Sequence, residues 1–315
     1  LSELVHDIIL SWLGNTPSLA VPYALAALGL IIGERSGVLS LGAEGLMLVG
    51  ALAGVGAYLA FGGHPLLALL VAMIAAALVS LLFAILVVLF RVNQVIAGLA
   101  LVFFCQGLTN LVGTVADWSN HTISGLHDWP LYPLWELPIV GRIFFTHDLI
   151  VYLTIPIFIA VSWFINRTNT GLRLRSIGES PEAADAAGLN INLYRFAAVV
   201  GGSALVGLAG AYLSVVSAKI WIAGMTSGRG WIAVALVIFA RWHPWRALMG
   251  ALLFGGIEAL IPQIAAAGIR VPEYFMLMTP YVATLAVMVW QGARSRVGSD
   301  EPAALGQPYV REERI

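Results

Sequence analysis

GLRLRSIGESPEAADAAGLNI, residues 171–191, is a polar island in an oily chain. It carries Arg173, Arg175, Glu179, Glu182 and Asp185, and both flanks are apolar for about a membrane's width. Those flanks decide the fold class. Of 315 residues, 60% are hydrophobic and 10% charged, where soluble domains carry roughly 25% charge. One water-soluble core has no room for that much apolar surface, so the solvent is lipid. The net charge of -1 gives no basic field that would recruit nucleic acid. The single cysteine, Cys105, lies in an apolar run, which excludes an internal disulfide framework and reads as a small hydrophobe.

Outward from the island, charge-free runs place spans near 17–33, 39–61, 66–90, 94–115, 149–165, 195–217, 222–240, 246–262 and 274–291. This predicts an all-α polytopic membrane protein of about nine transmembrane helices (8–10), filling a transmembrane domain over 17–291. The stretch 34–44 is a loop or a break dipping into the membrane. Gly224, Gly228 and Gly230 argue that the run 222–240 opens non-helically. At the N-terminus, Leu1, Leu4, Val5, Ile8, Ile9 and Trp12 share one face, which predicts an interfacial amphipathic helix over 1–16. Glu3, His6 and Asp7, with no basic leader, argue against a signal peptide.

Arg91, Arg167, Arg173, Arg175, Arg195, Arg241, Arg246, Arg294 and Arg296 mark joints that alternating spans put on one side, and the positive-inside rule makes that side cytoplasmic. The island and its margins, 166–192, are therefore a cytoplasmic loop. The loop 116–148 lies opposite, with Asp117, Asp128, Glu136, Asp148 and the interfacial aromatics Trp118, Trp129, Tyr132 and Trp135. Its histidines 121, 127 and 147 match no metal-ligand spacing. The polar tail 292–315, with GSDEP and REER, is expected to be disordered cytoplasmic chain.

A faint echo links LMLVGAL (46–52) with ALMGAL (247–252), each after a glycine-bearing segment, at Ser36-Gly37 and Ser227-Gly228. Repeats with broken helices build many transporters, although small-residue helix packing produces the same echo.

The chain shows no phosphate-binding GxxxxGK[ST], HExxH, CxxC or GxSxG elbow, and Lys219 is its one lysine. It has no catalytic residues and no ATP site of the usual kind, so active transport would draw on an ion gradient or a partner. Ionisable groups at membrane depth are costly and therefore informative. Glu44 either caps a helix start or meets a solute. Glu258 and Arg229, the latter just before Trp231, either tie helices together or line a path. Asn93 and Gln94 begin the span 94–115, and Gln106 and Asn110 share a face along it, as pathway or as glue.

Within the island, Ser180 is a good N-cap, Pro181 fits the first helical position and Glu182 complements the positive helix end. Ala183, Ala184, Ala186 and Ala187 favour helix, and Gly188 is a natural stop. A helix of about two turns over 180–188 follows, marginal alone in water. Its alanine surface and Asp185 suit a groove on another protein; the plain alternative is a connecting loop.

These residues resemble the coupling segment of ABC importer permeases of the branched-chain amino acid, simple-sugar and nucleoside superfamily. ERSGVLSLGAEGLMLVGA, RVNQVIAGLALVFFCQGLT and SGRGWIAVALVIFARWHPWRALMGALLFG resemble further signatures of its nucleoside-type branch, and together these cover most of residues 29–262. The chain departs from that branch at Ser40, at Asn93-Gln94 and at Val102. The resemblance implies a bacterial inner-membrane permease subunit for nucleosides or related sugar-containing solutes, with no cofactor of its own. Implied partners are a cytoplasmic ABC ATPase holding ATP-Mg, an extracytoplasmic binding protein and a second permease, identical or paralogous. It implies ATPase coupling through Arg173, Arg175, Glu179 and Ser180 to Asp185, and a solute path near the breaks at 36–45 and 224–231, with Ser40, Glu44, Asn93, Gln94, Gln106, Asn110, Arg229 and Trp231 as candidates. The alternatives are a branched-chain amino acid permease of the same superfamily and an ion-coupled secondary transporter.

Overall fold

A computed structural model describes residues 2–119, 121–136, 140–266, 275, 278, 282, 285, 286, 289 and 301–310. Among them the only β pairing is an isolated bridge between Asp128 and Asp148, so the fold is all-helical. Seven helices are long and apolar enough to cross a membrane. They belong to α1 (Ser2–Glu34), α2 (Ala43–Ala60), α3 (Pro65–Ala84, continued by a π-helical turn Ile85–Leu89), α4 (Gln94–Val115), α6 (Leu149–Arg167), α9 (Ile191–Ala211, continued by a π-helical turn Tyr212–Ser217) and α11 (Pro244–Ala266). Shorter elements complete the chain: α5 (Val140–Phe144), α7 (Asn169–Glu179), α8 (Pro181–Ala186) and α10 (Arg229–Ala240).

The expected span 222–240 is shortened to α10. Residues 218–228 approach it as turns, and Gly228 caps it at φ 85, a left-handed backbone that glycine adopts at little cost. The ninth expected span, 274–291, lies largely outside the described residues; Phe275, Met278, Val282, Leu285, Ala286 and Val289 within it are helical.

Residues 2–16, expected as an interfacial helix, form the first part of α1, which runs through Pro17 and Pro22. Each proline removes one helical N–H, a loss that membrane helices tolerate when neighbours support them. Here α11 is the neighbour: Trp12 Nε1 donates to the Gly256 carbonyl at 2.7 Å, and Gly255 lies flush against Ala20.

α1, α2 and α9 form the inner layer, while α3, α4, α6 and α11 leave much of their surface uncovered by this chain. In lipid no hydrophobic force joins helix to helix, so close approach of small residues carries the packing. Gly29 of α1 and Gly202 of α9 sit so close that a Cβ on either would strike the other's carbonyl. The repeat echo does not extend to topology, because Gly37 precedes α2 directly whereas α10 intervenes between Gly228 and α11.

Candidate coupling and translocation site

The polar island forms two helices, not one. Thr168 caps α7 by accepting from Gly171 N at 3.0 Å, and its hydroxyl also donates to the Phe164 carbonyl at 2.6 Å, closing a sharp corner after α6. Gly171, Leu174, Ile177 and Gly178 give α7 a buried face. Ser180 then caps α8, accepting from Ala183 N at 3.3 Å, with Pro181 in the first helical position. Gly188, at φ 82, ends it, and Leu189 N reaches back to the Ala184 carbonyl at 3.0 Å. Ala184 is buried with Ile177 and Ile191, and Leu189, Tyr194 and Tyr309 close this small cluster. Glu182, Ala183, Ala186 and Ala187 remain exposed. Arg173 turns sideways, donating from Nη1 to the Tyr194 hydroxyl at 3.3 Å; that bond holds its charged form and raises its pKa further above the ordinary arginine range. Among the described residues, the buried Nε of Arg175 has no hydrogen-bond partner.

Deeper in, the two breaks meet. The Glu44 carboxylate, in the first turn of α2, accepts from Thr226 Oγ1 at 2.6 Å, Gly228 N at 2.8 Å and Gly230 N at 2.7 Å. It caps a helix start, but that of α10 and not its own; α2 has no side-chain cap. The open N–H groups of α10 and its positive dipole end are thus answered by an anion. Gly230 is required by closeness, since a Cβ there would overlap the Glu44 backbone.

Between Gly228 and Gly230, Arg229 pairs through Nη2 with Glu258 Oε1 of α11, and Tyr23 of α1 donates to the other Glu258 oxygen at 2.9 Å. Arg229 and Tyr23 each lie 11 residues from the C-terminal ends of their helices, Ala240 and Glu34, about 16 Å at the helical rise.

The remaining pathway candidates separate. Ser40 is buried in the turn before α2. Gln94 is buried and its Oε1 accepts from Leu39 N at 2.6 Å, while Nε2 is left unpartnered. Asn93 caps the start of α4, accepting from Val95 N and Ile96 N. Trp231 is half-buried in α10. Gln106 points away from the bundle and is exposed, whereas Asn110 is half-buried and, among the described residues, its buried Oδ1 has no partner. At the start of α6, Asp148 caps the helix and accepts from the Tyr212 hydroxyl at 2.7 Å, while His147 is buried against Ser18.

Sequence reasoning missed three participants. Glu34 is buried at the end of α1 and accepts from Trp242 Nε1 at 2.6 Å. Tyr23 reads in sequence as an ordinary apolar position. Arg195, counted as a mark of the cytoplasmic surface, is only 4% exposed and donates to the carbonyls of Ser36 and Gln307.

Residues 13–288 match the family model described as branched-chain amino acid transport system / permease component. The chain is 38% identical over 323 residues to TsgC13 of Haloferax volcanii, a protein carrying the name of a glucose ABC transporter permease, with 95% of this chain and 97% of that one covered. It is 36% identical to the guanosine ABC transporter permease protein NupQ of Bacillus subtilis, over 94% of this chain and 95% of the relative. It is 32% identical to the nucleoside ABC transporter permease protein NupC of Lactococcus lactis, over 85% and 88%. With its multi-pass apolar helices, the chain therefore belongs to the branched-chain amino acid transport system / permease component family and is a membrane-spanning permease subunit of an ABC importer.

Proposed function

We propose that this permease carries nucleosides or related sugar-containing solutes by alternating access, driven through α8 by a cytoplasmic ABC ATPase. The similarity to guanosine, nucleoside and glucose permeases over nearly the whole chain supports that solute class. Relatives that are ABC permeases favour this reading over an ion-coupled carrier. The observation that carries the coupling role is α8 itself, a capped helix with an exposed Glu182 and alanine face. ATP and Mg are held by the ATPase. When ATP closes it, α8 is pushed, and α7 and α9 follow through the Ile177–Ala184–Ile191 cluster.

In the same reading, Arg173, Arg175, Glu179, Ser180 and Asp185 frame the docked helix, and an extracytoplasmic binding protein delivers solute. A second permease, identical or paralogous, covers the outward face of α4. Gln106 and Asn110 then line the shared passage, because amides facing lipid would be costly and an adjoining subunit or water would satisfy them. Ser40, Glu44, Gln94, Arg229 and Trp231 surround the broken segments that rearrange, and Asn93 stays at the cytoplasmic edge.

The test is uptake into proteoliposomes holding the permeases, the ATPase and the binding protein. Labelled guanosine should enter with ATP hydrolysis and be displaced by other nucleosides. Displacement by leucine instead would assign the branched-chain amino acid alternative. Replacing Glu182 and Asp185 together with arginine should abolish ATPase copurification or uptake; normal uptake would sink the coupling assignment.

A further inference from the structure

The tail was expected to be disordered over 292–315, yet residues 301–310 are fastened to the cytoplasmic face by backbone bonds. Ala304 N donates to the Gly178 carbonyl at the end of α7, at 2.9 Å. Gly306 N donates to the Gly37 carbonyl in the break before α2, at 3.2 Å. Arg195 of α9 bridges both sides, with Nε on the Ser36 carbonyl at 3.2 Å and Nη1 on the Gln307 carbonyl at 3.1 Å. Ala303 N approaches Glu179 Oε2 at 3.4 Å, Ala304 is 5% exposed, and Tyr309 packs on the cluster that holds Ala184.

The junction is built for this segment. Gly37 sits at φ 88, and a Cβ there would crowd Arg195 Nη2 at 2.9 Å and the Ala304 carbonyl at 3.2 Å. At Gly178 a Cβ would overlap the Arg35 carbonyl. Burying a guanidinium is costly unless its N–H groups are answered. Among the described residues, the Gln307 carbonyl is one of the two acceptors that answer Arg195, so the tail supplies half of the bonds to a buried charge whose Nη2 stays without a partner.

We propose that residues 301–310 are a fixed link in the coupling machinery, which transmits displacement of α8 to the break at 36–42. The contacts form a continuous route. α8 and the end of α7 hold Ala304 and Tyr309. Gly306 and Arg195 hold Gly37 and Ser36. Seven residues after Gly37, Glu44 clamps the start of α10. Arg195 acts in it as a positioning residue. The link rests on the reading of α8 as the helix the ATPase engages. Without the segment, α8 still docks on the ATPase, but its motion reaches the break only through α9 and the close approach of Gly178 to Arg35 and Gly37.

The experiment compares, in the complete transporter in proteoliposomes, the intact permease, a chain ending at Asp300, and the full-length Ala304→Trp variant, whose indole does not fit the buried alanine position. Copurification of the ATPase and solute taken up per ATP hydrolysed are both measured. The expected result is retained copurification with a several-fold loss of uptake per ATP in both variants. Unchanged uptake per ATP in either variant overturns the proposal. So does loss of copurification in the shortened chain, which would make the segment an assembly element. The Glu182→Arg/Asp185→Arg variant separates the two readings. If it is inactive while the shortened chain keeps full uptake per ATP, only the link fails; if it transports normally, the coupling role of α8 fails.

Discussion

Glu44 Oε2 accepts the Gly230 N–H at 2.7 Å, so the first turn of α2 holds the first turn of α10 at the level where both chain breaks meet. With Gly228 N and Thr226 Oγ1 on the other oxygen, the carboxylate satisfies three donors. Hydrogen bonds to a charged group contribute about 1.5–3 kcal/mol each, and an unanswered buried donor costs about 1–3 kcal/mol. Glu44→Gln keeps the shape but offers one accepting oxygen, so it should lower thermal stability in detergent and slow uptake. Glu44→Ala should do both more severely. Equal melting temperatures for the wild type and the alanine variant would remove the clamp.

Gly230 and Gly107 make a matched pair for the close-approach argument. A Cβ at Gly230 overlaps the Glu44 backbone, whereas one at Gly107 meets nothing within 4 Å. Gly230→Ala should therefore force α2 and α10 apart, at a cost of about 1–3 kcal/mol as in overpacked cores. Gly107→Ala should leave the isolated subunit as stable as before or slightly more so, since alanine is favoured over glycine in a helix by about 1 kcal/mol. Thermal unfolding of the two variants side by side checks this.

The outward face of α4 gives a prediction about solute and not about folding. Gln106→Leu and Asn110→Leu should leave the melting temperature of the single subunit nearly unchanged, because Gln106 faces away from the bundle and Asn110 Oδ1 has no partner to lose. Uptake should fall about tenfold, equivalent to about 1.4 kcal/mol, if each amide binds solute in the passage. A KM that rises while ATPase copurification persists would place the defect at solute binding.

How far the sequence reveals this arrangement depends on the kind of signal. Charge-free runs such as Pro65–Ala84 are visible because lipid leaves few alternatives to an apolar helix. α8 is visible because cap, proline, alanines and stop are all local. α7 is obscured: its buried face of Gly171, Leu174, Ile177 and Gly178 is half glycine and is interrupted by Arg173 and Arg175. The tail is obscured for a related reason. Its attachment runs through backbone N–H and carbonyl groups of Ala304, Gly306 and Gln307, which composition does not register, while GSDEP reads as solvated chain. Pro17 and Pro22 suggest a helix boundary, and only the contact of Trp12 with Gly256 shows why α1 continues. The meeting of Glu44 with Gly228 and Gly230 spans more than 180 residues, beyond the reach of any local pattern.

The cap on α8 separates local helix stability from docking. Replacing an N-cap serine by alanine typically costs about 1 kcal/mol, while glycine costs only a few tenths. Ser180→Ala should therefore speed hydrogen exchange at the amides of 183–187 about fivefold, and Ser180→Gly should barely change it. If α8 is engaged as a preformed helix, transport should follow the same order, with the glycine variant closer to wild type. Faster exchange with unaltered transport would mean that the ATPase orders the helix on binding.

Arg229, Glu258 and Tyr23 form a partly buried polar cluster joining α10, α11 and α1, and its energetics are best read from a cycle. Removing one partner of a buried pair costs about 3–5 kcal/mol because it strands the other charge. Here the side chains are 23% and 21% exposed, so solvent screening reduces the expected loss to about 1–3 kcal/mol for Arg229→Met or Glu258→Leu alone. The double variant should be less destabilised than the sum of the two, because no stranded charge remains; the difference is the coupling between the sites. Tyr23→Phe removes one donor from Glu258 and should cost about 1 kcal/mol in the wild-type background and much less beside Glu258→Leu. Melting temperatures of the single and double variants, taken in one detergent, give all the required terms. Additive losses across Arg229 and Glu258 would show that the pair contributes no mutual stabilisation, and would leave Glu44 to hold the start of α10.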